Sequence, residues 1–391
     1  MSDAPVIYLI AGEPSGDLLG ARLMKSLQEK LADSGVEFIG IGGPEMTSGG
    51  LTSLFAMSEL SVMGLAEILP HLPHFIRRIN QCVGDIKARQ PAVLVTIDSP
   101  GFCFRVARRL RAQGIPLVHY VAPSVWAWRP GRAAKVAGFL DHLLALLPFE
   151  PPYFERVGLA TTFVGHPVVE GGAGDGDGAA FRRRHGIGDS DILLSVLPGS
   201  RNSEISRLLP VFGETVSLLA IAHPGLRVVV PTVAALHDKV IRATQNWPGG
   251  VIVVAGTDEK FDAFAASNLA LAASGTVALE LAMSGTPHVI AYKVHALTAW
   301  VAGKLIKTPY VNLINIILDR PVVPELIQQD CRADLLAAAL GDLLGDKSLA
   351  QRQIAAANEA LDQLGRGGEP PSDRAADVII SIINQHKGQR S

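Results

Sequence analysis

Four short stretches set polar or charged side chains where apolar runs end, the places from which an α/β protein presents its chemistry. In LIAGEPSGDLLG (9–20) a glycine-bearing turn carries Glu13, Ser15 and Asp17. Its spacing is neither the GxGxxG of a dinucleotide loop nor a Walker loop, which ends in Lys-Ser/Thr. Two carboxylates would repel a phosphate, whereas a carboxylate such as Glu13 accepts hydrogen bonds from sugar hydroxyls. Ser15 or Asp17 also reads as a cap on the helix that follows, and Asp17 suits the helix dipole. TIDSPGF (96–102) ends an otherwise apolar strand on Asp98. A carboxylate there is a candidate general base, its pKa raised by the apolar strand end. It reads equally as a cap on the turn at Ser99-Pro100-Gly101.

The other two stretches suit phosphate. LPGSRNSE (197–204) puts Gly199, Ser200 and Arg201 between a strand and a helix, with no acid ahead of the helix. Such a turn fits a diphosphate, with Arg201 as a charge-assisted clamp. AASGTVALELAMSGTP (272–287) repeats the device, Ser274, Gly275 and Thr276 opening a helix. Glu280, one helical turn inside, can accept from both hydroxyls of a ribose. Each turn also reads as an ordinary capped helix, and Glu280 as a solvated helix residue. Two phosphate-friendly turns in one domain favour a nucleotide.

These stretches must be positioned by alternating strands and helices. VIYLIAG (6–12), VEFIGIGG (36–43), AVLVTID (92–98) and PLVHYVA (116–122) are nearly continuous apolar runs separated by helical patterns. That is the pattern of βαβ units around a buried parallel sheet. Glycine and aspartate interrupt it at EGGAGDGDGAAF (170–181), which reads as a linker. A second series follows through DILLSVLPGS (191–200), LRVVVPT (226–232), GVIVVAG (250–256), NLALAASG (268–275) and TPHVIAY (286–292). The expected architecture is α/β: two doubly wound, Rossmann-like parallel-sheet domains facing a central cleft, 1–170 and 171–348, with helices over 349–391.

Composition narrows the function. A chain of 391 residues, 48% hydrophobic, carries a large core and exceeds one ordinary domain. The net charge of −2 argues against a nucleic-acid partner held by bulk electrostatics. Cys82, Cys103 and Cys331 are scattered without a CxxC, which suits a reducing cytosol and argues against zinc or a disulfide framework. The N-terminus lacks the basic flank of a signal peptide, and no uninterrupted apolar run reaches the ~20 residues of a membrane span. DGD (175–177) and DSD (189–191) lie in or beside the glycine-rich stretch and read as solvated loop charges rather than a metal-binding DxD. No metal and no cofactor are expected.

GEPSGDLLG, VMGLAEIL, IDSPGF, HYVAPSVWAWRPGR, LPFEPPYF, FVGHP, LPGSR and ASGTVALE, in this order over about 8–330, closely resemble the lipid-A-disaccharide synthase family. The resemblance implies an inverting glycosyltransferase of the GT-B fold in a Gram-negative bacterium, peripheral on the cytoplasmic face of the inner membrane. It implies UDP-2,3-diacylglucosamine as donor, 2,3-diacylglucosamine 1-phosphate as acceptor, and a β-1,6-linked lipid A disaccharide 1-phosphate plus UDP as products. It assigns Asp98 as base, brings Glu13 and Ser15 into the same site, and leaves the diphosphate to Arg201 and the ribose to Glu280. Asn315 in PYVNLINIILDRPVVPELIQ (309–328) matches a family stretch near the donor, although Ile314 stands where the family commonly has proline. A homodimer exchanging C-terminal segments and a final helix returning to the N-terminal domain are implied as well. An epimerase acting on UDP-N-acetylglucosamine or an undecaprenyl-linked glucosaminyltransferase would share the nucleotide site, but neither accounts for YVAPSVWAWRPGR together with GEPSGD. A non-catalytic nucleotide-sugar binder would not need Asp98.

Acylated substrates give ELSVMGLAEILPHLPHFIRRINQ (59–81) a second reading besides a core helix. Met63, Leu69, Leu72, Phe75 and Ile76, followed by Arg77 and Arg78, would rest on an anionic lipid surface. Trp126 and Trp128 read as packing, while Arg129 and Arg132 are candidates for the acceptor's phosphate.

Overall fold

Parallel strands covered on both faces must be apolar nearly throughout, as VIYLIA (β1, Val6–Ala11) and VLVTI (β4, Val93–Ile97) are. In the computed structural model, which describes residues 4–61, 68–127, 131–295 and 308–390, they pair directly, Ala11 opposite Ile97. With β2 (Glu37–Ile41), β3 (Thr52–Ser53), β5 (Leu117–Tyr120), β6 (His142–Ala145) and β7 (Ala160–Phe163) they form one parallel sheet ordered β3-β2-β1-β4-β5-β6-β7. The second sheet contains β8 (Ile192–Leu197), β9 (Leu226–Thr232), β10 (Ile252–Ala255), β11 (Leu269–Ala273), β12 (His288–Tyr292) and β13 (Glu325–Ile327). Its order is β10-β9-β8-β11-β12-β13. In each sheet the chain winds outward from its first strand, then returns to add strands on the other side. The order reverses between β1 and β4 and between β8 and β11. Ligands of open α/β sheets bind outside the carboxyl ends of the strands at such reversals.

The chain divides into two units, Met1–Pro167 with Gly368–Ser391, and Val168–Gly367. The stretch 349–391 is shared between the two units, and its final helix is the part that joins the first. Helix Lys347–Gln363 stays in the second unit because the buried Gln353 amide pairs with the backbone of His288, accepting its N–H at 2.7 Å and donating to its carbonyl at 3.0 Å. Helix Pro371–Arg390 alone joins the first unit. There Ala375, Ala376, Ile379 and Ile383 pack with Leu19, Leu23 and Leu27 of helix Pro14–Lys30, and Lys30 pairs with Asp377 at 2.8 Å.

The glycine-rich stretch expected as a linker is docked on the second unit. The Asp177 N–H donates to Asp262 at 2.7 Å, and its carboxylate caps helix Gly178–Arg184 by accepting from Ala180 N–H at 2.8 Å. The Ser284 hydroxyl donates to the Ala173 carbonyl at 2.6 Å. Asp191 closes its own turn on the Gly188 N–H. The acids of DGD and DSD that make these bonds are turn and cap residues. Among the described residues one helix, Asn202–Ala222, is apolar and long enough to cross a membrane. Its Ile205, Leu208, Phe212, Val216 and Leu219 lie in the core of the second unit, which accounts for that composition.

Candidate active site

At the β1/β4 reversal two turns meet. A Cβ on Gly12 would lie 2.4 Å from the Ser99 hydroxyl oxygen, so only glycine permits the approach. Glu13 follows in extended conformation, exposed, at the N-cap position of helix Pro14–Lys30, and Ser15 is exposed in its first turn. Asp98 and Ser99 both take left-handed backbone angles, φ 50° and 43°. Each such residue is costly, and such strain collects at functional sites. It is held by the Asp98 N–H on the Tyr120 carbonyl at 3.0 Å. Val121, just past β5, has φ 84°, an outlier for a β-branched residue, with its N–H on the Leu144 carbonyl. The Asp98 side chain is half-buried, and burial pushes its pKa up, partly opposed by a hydrogen bond from the Ser99 N–H. That is the environment a general base requires.

Asp17, the other acid of the opening turn, has a different task. It is buried, and its carboxylate accepts the N–H groups of Gly43 (2.7 Å), Glu45 (3.0 Å) and Met46 (3.1 Å). It therefore caps helix Pro44–Ser48 rather than its own helix, and it is not free to meet a sugar. Of the two acids in the turn, Asp17 thus belongs to the scaffold.

Past β5 lies the tryptophan-bearing loop. Trp126 packs edge-on against Phe149 and donates its indole N–H to Glu150 at 3.2 Å. Glu150 is buried, accepts the N–H groups of Leu146 and Leu147 as well, and is pushed by burial up to about 7. Sequence reasoning missed this glutamate, although it stands in LPFEPPYF. Arg132 lies against the Phe104 ring. Trp128 and Arg129 lie outside the described residues.

At the β8/β11 reversal, Leu197 opposite Ala272 sets the turns after the two strands side by side. Arg201 is at the N-cap position of helix Asn202–Ala222, its side chain 73% exposed. No acid precedes the helix in the chain, but one reaches the turn from within it. Glu204, from the first turn of the helix, folds back and accepts the N–H groups of Ser200 (3.1 Å) and Arg201 (3.2 Å). In the second turn the Ser274 hydroxyl donates to the Val311 carbonyl at 3.1 Å, while Gly275 and Thr276 are exposed. Glu280 is half-buried, and both its oxygens are 3.0 Å from the Lys260 ammonium. A carboxylate has about four lone-pair sites, so this pair leaves acceptors for a diol.

Asn315 is tied to its own loop. It is buried and uses its full hydrogen-bonding capacity on its own chain. Its amide donates to the Val323 carbonyl and to Glu325, and its oxygen accepts from the N–H groups of Val322 and Val323, at 2.8–2.9 Å. It shapes the 311–325 loop together with Glu325.

Phe75 is corrected. It is a core residue, edge-on to Phe102 at 5.6 Å, with Arg105 over its ring. Ile76, next to it on helix Ile68–Arg89, is 42% exposed. Met63 and the side chains of Leu69 and Leu72 lie outside the described residues. Among the described residues no three His, Cys, Asp or Glu side chains gather as metal ligands, and the three cysteines are free and buried.

Comparison with known proteins adds a family to this geometry. Residues 7–378 match the family model described as lipid-A-disaccharide synthetase. The chain is 56% identical to the lipid-A-disaccharide synthase of Rhodospirillum centenum over 382 residues, covering 97% of this chain and 95% of that one. It is 55% identical to that of Paramagnetospirillum magneticum over 390 residues, 99% of this chain and all of that one. Among solved structures, a Staphylococcus aureus MnaA–UDP co-structure superposes with a TM-score of 0.66 at 14% identity, over 98% of this chain and 97% of that one. A glycosyltransferase of kitacinnamycin does so at 0.63 and 16%, over 97% and 99%. These distant likenesses carry the fold, two Rossmann-like sheets of the GT-B type. Identity above half along nearly the whole length carries more: the chain belongs to the lipid-A-disaccharide synthase family of glycosyltransferases.

Proposed function

We propose that the protein transfers 2,3-diacylglucosamine from its UDP derivative to 2,3-diacylglucosamine 1-phosphate, inverting the anomeric centre. The products are the β-1,6-linked disaccharide 1-phosphate and UDP. The observation that carries this reading is Asp98, a half-buried carboxyl of raised pKa at the strand-order reversal of the first sheet. The acceptor hydroxyl oxygen attacks the anomeric carbon as the bond to the diphosphate oxygen breaks, and its proton passes to Asp98. Attack opposite the leaving group inverts the configuration. Exposed Glu13 and Ser15 would accept and donate hydrogen bonds to sugar hydroxyls. In the second unit, Arg201, with Gly199, Ser200 and the turn Ser274-Gly275-Thr276, would neutralise the departing diphosphate. Glu280, held by Lys260, would accept from the ribose.

For the lipid-facing role, exposed Ile76 and Arg77, with exposed Arg105, Arg108 and Arg109 in the same unit, support a peripheral contact with the inner leaflet's anionic headgroups. Met63, Leu69 and Leu72 remain proposed for it, without Phe75. The test is to supply both acylated glucosamines to the purified chain and to follow UDP release and the product's anomeric configuration by NMR. UDP released only when both substrates are present, with a β linkage, is the expected result. Release of free UDP without acceptor, or epimerisation of a UDP-sugar, would overturn the assignment.

A further inference from the structure

We propose that Glu204 is a positioning residue of the nucleotide site: its carboxylate, not the ligand's phosphate, occupies the amides of the LPGSR turn and aims the Arg201 guanidinium at the diphosphate. The inference rests on the reading above that Arg201 meets the nucleotide.

The geometry is specific. One Glu204 oxygen accepts both the Ser200 and Arg201 N–H groups, at 3.1 and 3.2 Å. The other is 3.3 Å from Arg201 Nη1 and 3.5 Å from the hydroxyl of Tyr292, at the end of β12. Glu204 is 13% exposed and Arg201 73% exposed, so the carboxylate lies beneath and the guanidinium above. Gly199 has φ 105°, and a Cβ there would stand 2.5 Å from the carboxylate, so the turn admits the glutamate only because residue 199 has no side chain. A carboxylate in the first helical turn also suits the positive end of the helix dipole.

A phosphate at these amides would face a half-buried carboxylate at contact distance, and like charges there repel. At Ser200 and Arg201 the turn therefore offers an anion its side chains rather than these two backbone N–H groups. Glu204 holds Arg201 at both ends, through the backbone N–H and through the ion pair, reducing the rotamer freedom lost when a ligand binds.

UDP binding to the full-length protein, measured by calorimetry for Arg201→Ala, Glu204→Ala, Glu204→Gln and the double alanine variant, tests this. Arg201→Ala and Glu204→Ala are each expected to weaken UDP binding roughly tenfold. Glu204→Gln, whose amide oxygen still accepts from the turn, is expected to stay within about threefold of the parent. The double variant should bind no more weakly than Arg201→Ala alone, because Glu204 acts through the arginine. Losses that multiply in the double variant, or tighter UDP binding by Glu204→Ala, would overturn the inference while leaving Arg201 as a ligand. Unchanged binding by Arg201→Ala would remove the underlying reading and the inference with it. Thermal melting of each variant in the absence of UDP separates these effects from loss of the fold.

Discussion

The indole N–H of Trp126 donates to the carboxyl of Glu150, which burial pushes up to about 7. This one bond joins two motifs 24 residues apart, and it carries a pH dependence. An acid whose pKa is higher in the folded state than its ordinary 4.5 stabilises most when protonated. Its contribution is complete below about 4.5 and is lost as pH rises through about 7. Glu150→Gln lacks this titration. The stability difference between wild type and Glu150→Gln, from urea unfolding, is therefore expected to shift against wild type across that window. The buried His119, His166 and His288, lowered from 6.5 to about 3, about 4 and about 4, act in the opposite sense. Their contribution is present above 6.5 and is lost on acidification, so subtracting the variant isolates Glu150.

Asp98 governs the chemical step. Asp98→Asn is expected to lower kcat by roughly 10²–10⁴-fold, the range of a lost general base. UDP affinity should stay near the parental value. The acid limb of the wild-type kcat profile should lie above the ordinary carboxylate range, because burial raises this pKa. Turnover of Asp98→Asn within a few-fold of wild type would eliminate it as the base.

Asp17 is a scaffold acid in a functional-looking motif. Asp17→Ala leaves three N–H groups at the start of helix Pro44–Ser48 without their acceptor. A loss of roughly 2–4 kcal/mol of stability is expected, with normal turnover per folded molecule. Intact stability with lost activity would reverse the assignment.

Phe75 and Ile76 separate packing from surface function. Phe75→Ala should cost roughly 3–5 kcal/mol, as a cavity in an aromatic core does. Ile76→Ser should change stability by about 0.5 kcal/mol or less, yet lower cosedimentation with phosphatidylglycerol-containing vesicles. Unchanged vesicle binding by Ile76→Ser combined with charge reversal at Arg105 and Arg108 would exclude this face as the lipid contact.

The sequence by itself determined the two series of buried parallel strands, the polar residues at their carboxyl ends and the family. These depend on local properties: apolar runs, turn residues and long specific motifs. It also marked Asp98, because an acid ending an apolar strand is conspicuous along the chain. Tertiary structure decided which strand ends adjoin, since the order reversals at β1/β4 and β8/β11 arise from pairing between distant segments. It also decided what each polar side chain has left for a ligand. Asp17 caps a helix that begins 27 residues later, Glu204 fills a turn that looked open, and Asn315 is fully engaged with its own loop. Phe75 faces inward while its neighbour Ile76 faces out. A carboxylate or amide has the same chemistry wherever it occurs, and only the approach of donors from elsewhere in the fold determines whether that chemistry remains available.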